Sequence, residues 1–314
     1  MPLYELILYA AGISCGGVAK GGVLSVEVRI SILNTQHPTL NTPSMPSPAP
    51  IEIFAVGTEL VIGRIQDTNS FWMAQRISEL GGAVRRITQL VDDPDEIAHA
   101  VRHSLERGAH IVILCGGLGP TPDDLTVEAV AAALGLGTVV HEPTLADYVR
   151  RRNLAGPHEI SPGLRKMATV PEGAEVLPNP AGWAPCMRVP AGDATVVVLP
   201  GPPKEMEAVF SMYVSDFIAA RTAAKSAALR VIVNMFESEV SPLLQEVMTR
   251  LPNTYLKAYV ALRESFDRGL PVDLVASGPT AEGANQRLRE ALALLSELVT
   301  GRGRQLEYLS EAGE

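Results

Sequence analysis

The chain has little that would take it to a membrane, a nucleic acid or an oxidising compartment. None of its apolar runs approaches the roughly 20 residues needed to span a bilayer. The apolar residues 3–10 lack a basic start and carry Glu5 within the run, which argues against a secretory signal. Lys and Arg number 26 against 35 Asp and Glu, a net charge of -9. That balance predicts no nucleic-acid partner and no anionic membrane surface. Cysteine is scarce: Cys15, Cys115 and Cys186 are scattered without metal-ligand spacing, as expected of a protein in a reducing cytoplasm. Sequence patterns of common active sites are also missing. No Gly-Lys-Ser/Thr makes a Walker loop, the glycine spacing fits no dinucleotide fingerprint, and no Ser-His-Asp or Cys-His nucleophile pattern stands out. His99 and His103 stand four apart, but they lie opposite the core stripe of their helix and are expected to face water rather than hold a metal.

What the chain does contain is a periodic α/β pattern long enough, at 314 residues, for two domains. Residues 1–50 read as an extension: an alternating strand at 24–32, then a linker at 34–50 rich in Pro, Ser, Thr and Asn, with Met45 as a candidate translation start. Residues 51–222 form the main domain. Strands are expected at 51–56, 84–91 and 111–114, alternating with two amphipathic helices. The first helix is expected to bury Phe71, Ala74, Ile77, Ser78 and Leu80; the second, at 95–107, to bury Ile97, Val101 and Leu105. Such alternation predicts right-handed crossovers and a mainly parallel sheet covered on both faces. Helices at 144–152 and from about 162, and short strands at 175–177, 186–189 and 195–199, complete this domain. From residue 223 a β-α-β-β-α order predicts a small α+β domain, with Arg263, Glu264 and Asp267 in a solvated turn.

The stretch richest in chemistry is 115–126, Cys-Gly-Gly-Leu-Gly-Pro-Thr-Pro-Asp-Asp-Leu-Thr. It joins a buried strand to an Ala-rich helix, which places free backbone N–H groups and a helix N-terminus at the end of a strand. Gly116, Gly117 and Gly119 let the backbone approach a phosphate, because none carries a Cβ. Asp123 and Asp124 offer the hard oxygen ligands that a divalent cation bridging phosphate oxygens needs. An Asp ahead of a helix is also a common N-cap, so the loop alone does not decide between ligand and cap. Ligands of parallel sheets gather at the carboxyl ends of strands, where Gly57, Thr58 and Glu59 also lie. Leu199 to Met206 makes a third strand–turn–helix junction, with Lys204 placed to pair with a phosphate. Trp183, between Gly182 and Ala184-Pro185, is the better candidate for stacking a ring; Trp72 reads as core or interface.

These motifs carry a resemblance. Residues 55–60 (Ala-Val-Gly-Thr-Glu-Leu), Gly63 and 67–70 (Asp-Thr-Asn-Ser), with the loop 116–126, resemble the molybdopterin-binding domain of MoaB/MogA type, in the version found in the competence/damage-inducible CinA family. Residues 170–174, 178–180 and 199–206 extend the likeness to about residue 220, and the C-terminal part is similar to the KH-like middle domain of that family. The resemblance implies a three-layer α/β/α sandwich, a homo-oligomer (dimer or trimer), and metal-dependent hydrolysis of ADP-ribose to AMP and ribose 5-phosphate with Mg²⁺, Mn²⁺ or Co²⁺. In the molybdenum-cofactor branch it implies binding or adenylylation of molybdopterin instead. A non-catalytic nucleotide- or pterin-binding module is the third reading. The family's C-terminal nicotinamide-mononucleotide deamidase domain would begin beyond residue 314, so deamidation is not expected. Carried onto this sequence, the expected catalytic residues are Glu59, Asp67, Asp124 and Lys204, with Asp123 and Asp124 at the metal. Ligand contacts are expected from Gly57, Thr58, Asn69, Gly116, Gly117, Gly119, Pro120, Thr121, Thr126, Asn179 and Gly201.

Overall fold

A computed structural model describes residues 50–222, 225–262 and 269–308, all within the compact unit Met45–Glu314. The expected strand at 24–32, Cys15, Met45, nearly all of the linker and the turn carrying Arg263, Glu264 and Asp267 lie outside the described residues.

The strands before residue 200 are β1 (Pro50–Val56), β2 (Ala83–Leu90), β3 (Ile111–Cys115), β4 (Thr138–Val140), β5 (Thr169–Pro171), β6 (Glu175–Leu177), β7 (Cys186–Ala191) and β8 (Ala194–Leu199). Six of them form one sheet in the order β2-β1-β3-β8-β7-β6. β2, β1, β3 and β8 are parallel, while β7 and β6 add an antiparallel edge through the hairpin at residue 192. β4 and β5 pair separately; neither is visible as a periodic run, because three residues are too few to show alternation.

Period-two alternation sorts the strand side chains into two cores. Ile51, Ile53, Ile111, Ile113, Cys115, Val197 and Leu199 face the layer made by helices Thr68–Glu79 and Pro203–Val209. Phe54, Val56, Val112, Leu114, Val196 and Val198 face helices Pro94–Glu106 and Thr126–Leu134. The expected α/β/α sandwich is therefore present. One helix face differs from expectation. Helix Thr68–Glu79 buries Ser70, Met73 and Ile77, whereas Phe71 is 65% exposed and Ser78 is exposed. Phe71 is the bulkier cue, but the ridge that meets the sheet runs through positions 70, 73 and 77, one residue around the helix.

Beyond Thr222, β9 (Lys225–Val233), β10 (Thr254–Ala258), β11 (Leu270–Gly278) and β12 (Leu306–Tyr308) form an antiparallel sheet in the order β10-β11-β9-β12. Helices Glu237–Arg250 and Ala281–Gly301 pack on it around a core of its own that includes Val231, Val272, Leu244 and Leu295. Thr222 Oγ1 donates to the Leu80 carbonyl (2.9 Å), tying the junction back to the first helix. Among the described residues no helix is long and apolar enough to cross a membrane.

One charge sits inside the main domain. Glu52, 4% exposed in the middle of β1, accepts from Arg107 Nε (3.1 Å) and Nη2 (2.5 Å). Burial, the largest single influence, would raise its pKa, but hydrogen bonding by Arg107 and Ser104 and the charges of Arg107 and Arg86 together outweigh it and hold the carboxyl below its ordinary value. A depressed carboxylate stabilises the fold above its unfolded-state pKa, and that stability is lost as pH falls through the folded value. Arg107 is itself partly exposed, which discounts the pair relative to a fully buried one. Arg107→Ala is expected to cost about 1–3 kcal/mol at pH 7 in denaturant unfolding. The gap to wild type should narrow as pH falls through the carboxylate range, because Glu52, no longer held down by Arg107, takes up its proton at a higher pH in the variant than in wild type. A gap independent of pH would mean that the pair contributes packing alone.

Candidate functional site

A cavity of about 560 Å³ opens at the carboxyl ends of the parallel strands. β1 contributes Val56 and then Gly57 and Glu59; β2 is followed by Asp92; β3 ends in Cys115 and the loop to Asp124; β8 runs into Pro200 to Pro203. The convergence expected of a parallel sheet is thus realised at one place.

The glycine loop has this shape because of two close approaches. Gly116 has φ +111°, and a Cβ there would lie 2.1 Å from the Val56 carbonyl oxygen, which no L side chain could tolerate. Gly117 has φ +66°, and its Cβ would meet Thr126 Oγ1 at 2.1 Å. That hydroxyl donates to the Gly116 carbonyl (2.9 Å), while the Thr126 N–H donates to the Gly117 carbonyl (3.3 Å). Thr126 is fully buried and fastens the loop from behind; it does not line the cavity. Across the floor, Asn69 Nδ2 donates to the Gly201 carbonyl (2.7 Å) and to Cys115 Sγ (3.3 Å), and Cys115 Sγ donates to the Pro200 carbonyl (3.2 Å). Burial pushes the Cys115 thiol up to about 12, so it stays protonated and inert.

Carboxylates dominate the wall. Glu59, Asp67, Asp92, Asp123, Asp124 and Glu205 all line it, and the lining residues include no Lys or Arg. Each is differently committed. Asp67 Oδ1 caps helix Thr68–Glu79 by accepting from the Ser70 N–H (2.9 Å). Asp124 Oδ2 accepts from the Thr121 N–H (2.9 Å) and hydroxyl (2.5 Å), which bends the loop back on itself. Thr121, with the nearby charge of Lys166, holds the Asp123 carboxyl below the usual carboxylate range. Asp92 Oδ2 accepts from Thr58 N (2.7 Å) and Thr58 Oγ1 (2.9 Å). Asp92 is not among the expected site residues, because the run Asp92-Asp93-Pro94 reads as a helix start. In the fold Asp93 alone is the N-cap, and Asp92 is left at the end of β2 facing the cavity.

Among the other expected residues, Gly57, Asn69, Gly119, Pro120 and Gly201 line the cavity with Gly116 and Gly117. Thr58 and Thr121 stand just outside it, orienting Asp92 and Asp124. Lys204 is exposed on helix Pro203–Val209 and does not line the cavity. Asn179 is buried beneath the wall; its Nδ2 donates to the Ala184 carbonyl (2.9 Å) and to Glu205 Oε2 (2.7 Å). Its role is to orient Glu205, whose Oε2 also accepts from the Trp183 N–H (3.3 Å). Glu205 was visible in the sequence only as the neighbour of Lys204, and helix periodicity turns it, not Lys204, inward. Trp183 lines the cavity, whereas Trp72 packs edge-on against Phe210 at the margin of the core. His99 and His103 are exposed, and among the described residues no three His, Cys, Asp or Glu form a preformed metal cluster.

Comparison with known proteins agrees with this geometry. The family described as probable molybdopterin binding domain matches residues 52–220, the sandwich and its cavity. A protein from Pyrobaculum arsenaticum is 38% identical over 255 residues, covering 80% of this chain and 94% of the relative. A CinA-like protein from Anaeromyxobacter dehalogenans is 37% identical over 261 residues, 81% of this chain but 62% of the relative, so the chain spans less than two thirds of that protein. The crystal structure of CinA from Thermoplasma acidophilum superimposes with a TM-score of 0.51 at 35% identity, covering 54% of this chain and 98% of that one. By matched domain, sequence identity and fold together, the chain belongs to the molybdopterin-binding domain family, in its CinA-like form.

Proposed function

We propose that the cavity takes a nucleotide bearing a diphosphate and, with a divalent cation, hydrolyses it, ADP-ribose to AMP and ribose 5-phosphate being the leading substrate. The observation that carries this reading is the sign of the wall: six carboxylates and no basic side chain surround the glycine loop. A bare phosphate near such a wall is repelled by roughly 1–4 kcal/mol per unit charge at contact distance. A hard cation removes that repulsion, and carboxylate oxygens are the donors it takes. The lack of a preformed cluster among the described residues fits Mg²⁺, which typically uses one or two carboxylates and completes its shell with water and substrate oxygens. Asp123 and Asp124 would hold it, Mn²⁺ and Co²⁺ being alternatives; bound there, it supplies Lewis-acid polarisation of a phosphoryl oxygen and a more acidic water.

The chain's own groups then divide the work. Backbone N–H groups of the loop from Gly117 to Gly119 would donate to phosphate oxygens, in a geometry already fixed by Thr126, while the Gly116 N–H is taken by the Leu199 carbonyl. The Glu59 carboxylate has no hydrogen-bond partner among the described residues, its backbone carbonyl alone being used by the Arg64 and Ile65 N–H groups, and it is the general base of this reading. Asp67 is less suited, since one of its oxygens caps a helix. Lys204, outside the wall, has no part in it. A binding module without turnover is the second reading. It is favoured by Asp124, one of whose oxygens is occupied twice by Thr121. Adenylyl transfer to molybdopterin is a further alternative, marked by pyrophosphate release from ATP.

Wild type incubated with ADP-ribose and Mg²⁺, Mn²⁺ or Co²⁺ is expected to release AMP, and EDTA should abolish the release. Asp124→Asn keeps a carbonyl oxygen for Thr121 and should lower kcat by about 100-fold or more. Glu59→Gln should lower kcat by about 100-fold with little change in KM. Nucleotide binding with no AMP under any metal would select the binding module.

A further inference from the structure

Trp183 borders more than the site just described. Its side chain also walls a second chamber, of about 480 Å³, that shares Pro120, Met167 and Trp183 with the first and continues to Leu154, Leu164 and Arg152. Tyr148 holds Trp183 in place: the buried Tyr148 hydroxyl donates to the Trp183 backbone carbonyl (2.6 Å), and the two rings meet edge to face at 5.4 Å. Two guanidinium groups lie over it, Arg151 at 4.0 Å and Arg152 at 4.8 Å from the ring centroid. They are not equivalent. Arg151 donates to the Gly182 carbonyl (2.6 Å) and pairs with Asp147 (3.6 Å). Arg150 also pairs with Asp147, whereas Arg152 has no carboxylate and no hydrogen-bond partner among the described residues.

The second chamber thus differs in character from the first. Its walls are largely apolar, with an aromatic ring and one unpaired planar cation; none of the first chamber's carboxylates lines it, and its own carboxylate is Glu159. Glu159 is committed to the Ala155 N–H (2.8 Å). Planar heterocycles are bound in such surroundings, by stacking on indole and guanidinium faces. We propose that this chamber is a nucleobase subsite: the first cavity takes the diphosphate and one sugar, and the base of the same ligand passes over Pro120 to stack at Trp183 and Arg152. The inference rests on the nucleotide reading of the first cavity and names the end of the ligand by which a nucleotide would be told from a plain sugar phosphate.

The chain contains two tryptophans, so Trp72→Phe leaves Trp183 as the one indole reporter. In that variant AMP and ADP-ribose should quench the fluorescence saturably, and ribose 5-phosphate should not. Adding Arg152→Ala should weaken both nucleotides by roughly 5- to 10-fold without moving ribose 5-phosphate affinity, measured by calorimetry. A fluorescence response to ribose 5-phosphate equal to that of AMP, or nucleotide affinity unchanged by Arg152→Ala, would overturn the subsite. AMP release from ADP-ribose with Trp183 unaffected by AMP would overturn the subsite and leave the hydrolase standing. Quenching by nucleotides with no hydrolysis would do the reverse.

Discussion

The site depends on how closely two strand ends approach. Where β3 leaves the sheet, the Gly116 α-carbon sits so near the end of β1 that a single added methyl would overlap the Val56 carbonyl oxygen. The Gly116 N–H is meanwhile bonded to the Leu199 carbonyl (3.1 Å) at the end of β8. Three adjacent parallel strands are therefore drawn together at their carboxyl ends, and the loop is forced to pass over that junction. Thr126 locks the far side and Asn69 the floor. The cavity is the space left above, so its floor is backbone while its charged groups stand around the rim.

That division explains the electrostatics. On the proposed reading, the N–H groups of Gly117 to Gly119 would attract phosphate and the rim of carboxylates would repel it, so a phosphate ligand would arrive with a cation. Four of the six carboxylates are individually anchored: Asp67 to a helix start, Asp92 to Thr58, Asp124 to Thr121, Glu205 to Asn179. Anchoring costs each group one oxygen and leaves the other for a ligand. Apart from Ser70, which anchors Asp67, the anchoring residues are Thr58, Thr121 and Asn179, which a sequence reading takes for ligand contacts.

Much of this was legible before the fold. Alternating strands and helices specified the sandwich, because buried parallel strands need continuous apolar residues such as Ile111 to Leu114. The glycine loop was legible because only glycine tolerates the φ and the contact at Gly116. Less was legible where a residue's direction depends on tertiary packing. Lys204 and Glu205 are neighbours, and only the packing of Met206 and Val209 against the sheet decides that Glu205 turns to the cavity. Phe71 looked like core but is exposed, since the sheet meets the ridge of Met73 and Ile77. Asp92 was hidden by its neighbour Asp93, which satisfies the same helix start. Trp183 is legible as a stacking residue, but its flanking Arg152 comes from a helix some thirty residues earlier, and only the fold brings the two together.

The most direct measurement is an anomalous difference map from crystals grown with Mn²⁺ and a non-hydrolysable ADP-ribose analogue. The expected result is a manganese peak at the Asp123–Asp124 corner, with phosphate oxygens on the backbone N–H groups of Gly117 to Gly119. Phosphates bound elsewhere on the chain, or seated on the glycine loop with no metal, would contradict it.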